Sequence, residues 1–106
     1  MKETHFITID ENIRIDIRFK REKKEIKDFA INVSLMNEDL AEDVYRVDTK
    51  HGHLHEQKFW VSEKPMDLES DYSSYTKAFL VKKEEVRNNY KKWVKNYENA
   101  KRKNRR

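Results

Sequence analysis

The stretch Ile13-Arg14-Ile15-Asp16-Ile17-Arg18-Phe19 alternates apolar and charged residues without a break. Side chains on an extended backbone point alternately to opposite faces, so a period of two describes a strand buried on one face and wet on the other. Downstream, Phe29, Ile31, Val33 and Leu35 alternate with Ala30, Asn32 and Ser34, which predicts a second strand, antiparallel to the first across a short connection. That connection, Lys20 to Glu25, lacks Gly and Asn-Gly and predicts a loop of four to six residues rather than a tight primed turn. Asn37-Glu38-Asp39 breaks the pattern, and Asp43 to Asp48 resumes it with Tyr45 and Val47 on one face. Leu54 to Val61 reads as a fourth strand with Phe59 or Trp60 turned inward, and Met1 to Ile9, carrying Phe6, Ile7 and Ile9, as an edge strand. The order is that of a meander.

A half-buried sheet needs a cover, and the C-terminal third supplies one. Lys64-Pro65 with Asp67, Ser70, Asp71, Ser73 and Ser74 forms a linker of breakers and helix caps. Beyond it Phe79, Val86, Trp93 and Ala100 recur every seven residues, with Tyr90 and Tyr97 four after Val86 and Trp93. This is the stripe of an amphipathic helix of roughly 25 residues. Its rings are expected on the sheet; base stacking or a coiled-coil partner is the weaker use of the same spacing. The expected class is α+β: an antiparallel β-meander of four to five strands packed by one long C-terminal amphipathic helix. The chain is expected to form a single domain over 1–106, with a flexible basic tail over 101–106.

Composition narrows the functional classes. The 106 residues are 36% hydrophobic and 42% charged, yet 11% aromatic, a thin core with heavy anchors rather than a disordered chain. No apolar run approaches the roughly 20 residues that span a bilayer and no secretory signal is evident, so a cytoplasmic protein with no membrane partner is expected. The absence of cysteine excludes disulfides, thiol nucleophiles and thiolate zinc sites. A single glycine, Gly52, excludes a phosphate loop and a dinucleotide fingerprint, so no cofactor is expected.

Charge is polarised along the chain. From Lys82 onward eleven Lys and Arg face three Glu, whereas the preceding residues carry thirteen cations against seventeen acids. Such a helix suits a polyanion, or an acidic partner or subunit. The candidate nucleic-acid contacts are Lys82, Lys83, Arg87, Lys91, Lys92, Lys95, Lys101 and Arg102.

The densest polar chemistry lies in Tyr45-Arg46-Val47-Asp48-Thr49-Lys50-His51-Gly52-His53-Leu54-His55-Glu56. On extended backbone His51, His53 and His55 would share one side, with Asp48 or Glu56 in reach, unless Gly52 bends the chain. Two imidazoles could cleave RNA, one removing the 2′-hydroxyl proton and one protonating the leaving oxygen, while Arg46 or Lys50 steadies the phosphorane. The same groups could ligate a divalent metal for hydrolysis, although the spacing matches no standard zinc signature. A third use is a polar loop in which Asp48 caps a turn. The candidate catalytic set is His51, His53, His55, Asp48 and Arg46, with no metal assigned.

This run resembles a pattern, Arg-x-Asp followed by His and further His, of small prokaryotic proteins that include the TumE-like family of toxin components. It is also similar to a set of domains of unknown function with an Asp-Thr-x-His-Gly-x-x-His core. Asp48, Thr49, His51, Gly52 and His55 carry the likeness, which covers about a dozen residues, and His53 fills a variable position. The resemblance implies a compact β-meander with a helix, an antitoxin as partner and RNA as substrate; the long cationic extension departs from it.

Three readings therefore stay open: a nucleic-acid-directed protein, a ribonuclease of toxin type among them; a non-catalytic module that docks an acidic partner or forms a homodimer through its basic helix; and a His-ligated metal-dependent hydrolase.

Overall fold

A computed structural model describes residues 2–68 and 74–103. Six antiparallel strands run β1 (Lys2–Asp10), β2 (Ile13–Glu22), β3 (Glu25–Asn37), β4 (Leu40–Asp48), β5 (His55–Lys58) and β6 (Met66–Asp67), and each pairs with its neighbours in sequence. One helix, α1 (Tyr75–Lys103), closes the domain. The expected α+β meander is the architecture found, with β6 added in the segment read as linker. Ser70, Asp71 and Ser73 lie outside the described residues. The strand expected over Leu54 to Val61 is the shorter β5, because a turn closed by the Val61 N–H on the Lys58 carbonyl follows it, although the Phe59 N–H still donates to the Val44 carbonyl at 3.1 Å.

The turns depart from expectation. Each of the first three hairpins closes through two residues, Glu11-Asn12, Lys23-Lys24 and Glu38-Asp39, so the Lys20–Glu25 connection is a tight turn rather than a longer loop. The first residue of each is left-handed, with φ of 57°, 56° and 53° at Glu11, Lys23 and Glu38. A left-handed side chain costs about 1–2 kcal/mol. Pairing from Ile13↔Leu35 to Glu22↔Glu25 holds β2 and β3 together along their length, and a one-residue slip would turn their apolar rows to solvent. The strands fix the turn, not the reverse.

One bulge shapes the core. Val33 pairs with Tyr45 and Ser34 with Asp43, so Val44 is the extra residue, and both Val44 and Tyr45 point inward. Alternation alone identifies only Tyr45.

The helix begins at Ser74, whose hydroxyl accepts the Lys77 N–H at 3.2 Å. It buries Ala78, Phe79, Val86, Trp93 and Val94 against β3 and β4, with Tyr75, Tyr90 and Tyr97 packed at the margins. Phe79 sits between Phe19 and Phe29, at ring distances of 5.0 and 5.3 Å. Trp93 stacks on Tyr45 at 4.2 Å and meets Trp60 at 6.0 Å, so Trp60 is the inward ring of its pair. Burying each such side chain contributes about 1.5–3 kcal/mol. The helix includes residues 101–103, and residues 104–106 of the expected basic tail lie outside the described residues. Among the described residues no helix is long and apolar enough to cross a membrane.

Candidate functional site

Because α1 covers the face of Ile13, Ile15, Phe29, Ile31 and Val33, the alternate side chains stand on a helix-free face. Cross-strand pairing aligns them in rows. One row runs His5, Arg18, Ala30, Asp48, His55, Asp67; the next runs Ile7, Asp16, Asn32, Arg46, Gln57. The central strand contributes the small residues Ala30, Asn32 and Ser34 to a face whose flanking strands carry arginines. The result is a groove of about 880 Å³ with Ala30 and Asn32 in its lining, where Arg18, Lys20, Lys27, Arg46 and Lys50 are matched by Glu3, Asp16, Asp28, Asp43 and Asp48. A second pocket of about 240 Å³, lined by Arg46, Asp48, Lys50, His55, Gln57 and Pro65, adjoins it through shared residues.

Asp48 organises this end. Its Oδ2 accepts from Arg46 Nε at 3.1 Å, and its Oδ1 accepts the Lys50 N–H at 3.0 Å, which starts a single turn of 3₁₀ helix over Lys50–Gly52. Thr49 extends the β3 ladder one residue further: its N–H donates to the Phe29 carbonyl and its hydroxyl accepts the Phe29 N–H, at 3.1 and 3.0 Å. Gly52 ends the turn at φ 82°, and its carbonyl accepts the Tyr75 hydroxyl at 2.8 Å. The start of α1 thereby anchors the loop.

The extended run that would align the three histidines is broken. The 3₁₀ turn removes His51 from the extended run, and its side chain lies outside the described residues. His53 and His55 remain together, rings edge to face at 4.9 Å, with His53 exposed. His55 Nε2 faces the Lys50 carbonyl at 3.1 Å and Nδ1 faces Asp67 Oδ1 at 2.8 Å. Both neighbours are oxygen acceptors, so the ring is held from its two sides by the protein. Among the described residues no group of three or more His, Asp or Glu is placed to hold a metal.

Other groups on this face escaped the motif. Arg18, Gln57 and Asp67 arrive through register alone. His5 places Nε2 3.1 Å from Asp16 Oδ1, and Arg14 binds the same carboxylate twice, at 3.0 and 3.1 Å. Burial pushes the Asp16 carboxyl up, but the bonds and charges of Arg14 and His5 outweigh it and hold it below its ordinary value. Asn32 donates to Ser34 Oγ and Asp43 Oδ1, at 3.2 and 3.0 Å, while its Oδ1 has no partner among the described residues.

The helix cations separate into two groups. Lys82, 6% exposed, is a core residue rather than a surface contact: its Nζ donates to Glu56 Oε2 at 3.0 Å and lies 2.9 Å from Glu85 Oε2. Tyr45 also donates to Glu56, at 2.5 Å. Burial pulls the Lys82 ammonium down, but the hydrogen bonds and charges of Glu85 and Glu56 win and raise it. Lys101 pairs with Glu42 beside the Tyr97 ring, Lys91 lies 3.7 Å from Asp10, and Arg87 lies 4.0 Å from Glu84. Lys83, Arg87, Lys91, Lys92, Lys95 and Arg102 are exposed on α1, which packs on the sheet face opposite the groove.

Neither a curated protein nor a solved structure matches the chain. A family model does, over residues 1–103, and the chain belongs to that family, described as Domain of unknown function (DUF7718).

Proposed function

We propose that the protein is RNA-directed and that its helix-free face is the working surface, with the pocket of Arg46, Lys50 and His55 receiving a phosphodiester. The observation that carries this reading is the convergence of Arg46, Asp48, Lys50, His55 and Gln57 on one pocket of about 240 Å³ beside the larger groove. Arg46, held by Asp48, presents the rest of its guanidinium to an anion, and a fixed planar fork suits phosphate oxygens. Arg18 and Lys20 border the continuing groove, where the rest of a strand runs.

The chemistry this arrangement favours is transesterification. The exposed imidazole of His53 takes the 2′-hydroxyl proton, the 2′-oxygen attacks phosphorus, and His55, its Nε2 turned from the Lys50 carbonyl to the departing 5′-oxygen, gives that oxygen a proton. The products are a 2′,3′-cyclic phosphate and a 5′-hydroxyl end. Arg46 and Lys50 hold the charge that grows on the phosphorane. The likeness of the Asp48 to His55 segment to TumE-like toxin components points the same way, with an acidic antitoxin as the partner that would block the face.

Filter retention of single-stranded RNA, with end-group analysis of any product, tests both parts. Retention that falls with salt and is weakened by Arg46→Ala supports RNA binding; cyclic-phosphate ends lost in His53→Ala/His55→Ala support the chemistry. Absence of retention at low salt would end the RNA reading altogether. A second reading is favoured by the cationic helix lying on the face opposite the groove: a non-catalytic module that docks an acidic protein through α1. It predicts that the double histidine variant keeps full function.

A further inference from the structure

The two edges of the sheet are built differently. At one, β6 has two residues and follows Pro65, a short strand behind a residue that cannot donate, which is how natural sheets blunt an edge. At the other, β1 has nine residues paired to β2 from Lys2↔Arg21 to Asp10↔Ile13 without a register shift. It contains no proline and no bulge, and its Phe6-Ile7-Thr8-Ile9 segment carries no charge. Phe6, Ile7 and Ile9 are 56, 49 and 62% exposed, and they emerge on both faces, Phe6 beside Phe19 on the helix side and the isoleucines on the groove side. A long, flat, apolar edge of this kind is a template for another strand.

The strand's own sequence names the occupant. We infer that β1 pairs with β1 of a second copy of this chain, antiparallel about a twofold axis at Phe6, to form one continuous twelve-stranded sheet. Phe6 is the middle residue of Lys2–Asp10, so full overlap sets Phe6 against Phe6, Thr4 against Thr8 and Lys2 against Asp10 at each end. Lys2 then meets Asp10, whose carboxylate also accepts the Tyr90 hydroxyl at 2.6 Å and lies 3.7 Å from Lys91.

The backbone agrees. Across a two-residue turn Asp10 and Ile13 exchange hydrogen bonds, so Thr8, Phe6 and Thr4 also bond inward to β2, whereas Ile9, Ile7, His5 and Glu3 point their N–H and C=O groups outward. Pairing about Phe6 joins His5 to Ile7 and Glu3 to Ile9 through those outward groups. It also makes Phe6–Phe6 a non-hydrogen-bonded pair, the class with the closest side chains, near 4.5 Å between Cα atoms. Both helices then lie on one face of the joined sheet and both grooves on the other.

The chain has no cysteine, so introduced thiols report the register directly. Under mild oxidation Phe6→Cys forms a disulfide-linked dimer, because its Cα separation suits the bond. Ile9→Cys does not: position 9 faces position 3 of the partner, six residues or roughly 20 Å from its own equivalent. Sedimentation equilibrium of the full chain should give a dimer at micromolar concentrations. Ile7→Lys, at a position half exposed in the single chain, should give a monomer with an unchanged circular dichroism spectrum. A wild-type monomer at 100 µM, a dimer that survives Ile7→Lys, or cross-linking at Ile9 equal to that at Phe6 would each overturn the pairing.

Discussion

Replacing Lys82 with Met tests what holds α1 to the sheet. The ammonium is buried between Glu56, itself 8% exposed, and Glu85, so the substitution leaves the Glu56 carboxylate in the core with the Tyr45 hydroxyl as its remaining direct partner among the described residues. Breaking a buried ion pair from one side costs about 3–5 kcal/mol, because a charge stays desolvated without compensation. Glu85 is more than a third exposed and adds little of this, and the Met side chain keeps most of the apolar packing of the lysine stem. Glu56→Gln should cost less, about 1.5–3 kcal/mol, since Lys82 keeps Glu85 and a glutamine oxygen still accepts from Tyr45. The double variant, with no net buried charge left, should be more stable than Lys82→Met alone. Urea unfolding followed at 222 nm supplies all four corners of the cycle, and against a whole-domain stability of about 5–15 kcal/mol the losses are easily read. The Lys82 ammonium is raised in the fold, so its stabilisation is full below the ordinary lysine value of 10.5 and is lost only as pH rises above that through the folded value. A loss under about 1 kcal/mol for Lys82→Met, or additive single losses, would refute the reasoning.

Other consequences are independent of that network. Lys23→Gly should raise stability by roughly 0.5–1 kcal/mol in the same assay, since glycine removes the left-handed penalty at φ 56° but gives part of it back as chain entropy. Thr49→Val leaves the buried Phe29 N–H without its hydroxyl acceptor and should cost about 1–3 kcal/mol. Asp16 is lowered in the fold, so its stabilisation is present above its ordinary value of 3.8 and lost as pH falls below that through the folded value; Asp16→Asn should flatten this acid limb of a stability–pH curve. Reversing Lys92 and Lys95 to Glu should leave unfolding unchanged and, where α1 touches RNA, reduce the salt slope of retention by about 0.7 for each phosphate that is no longer neutralised.

The alternation in Ile13–Phe19 and Phe29–Leu35 was enough to orient the sheet, because each strand has one covered face and the period of two leaves no freedom. The turn at Lys23-Lys24 was not legible, since its left-handed residue is imposed by long-range pairing rather than by local preference. Lys82 is hidden from a charge count for a related reason. Counted by charge it belongs with the basic surface, but it lies three residues after Phe79 and four before Val86, on the apolar stripe itself. Periodicity outranks residue type there, and the two glutamates that satisfy the ammonium come from β5 and from the next turn of α1. Asp67 joined His55 only through β6, a two-residue strand with no periodic signal.

The path of α1 decides how the two halves of the chemistry can cooperate. Tyr75 touches Gly52 beyond the end of β4, Lys82 touches Glu56 opposite Val47, Trp93 lies on Tyr45, and Lys101 pairs with Glu42 near the start of β4. The helix therefore runs back along β4, and its exposed cations from Lys91 onward lie away from the histidine segment by roughly 24–40 Å of helix. They also lie across the sheet from it. A single phosphodiester cannot meet Arg46 and Lys95 together, so any strand that uses both must wrap an edge of the sheet. The blunted β6 edge lies nearest the pocket, whereas the β1 edge is the one that the proposed pairing of two copies would close. On the proposed RNA reading the β6 side is then the open route between groove and helix, and charge on α1 and charge in the pocket are separable by substitution: the first would set the attraction, the second the position of the phosphate.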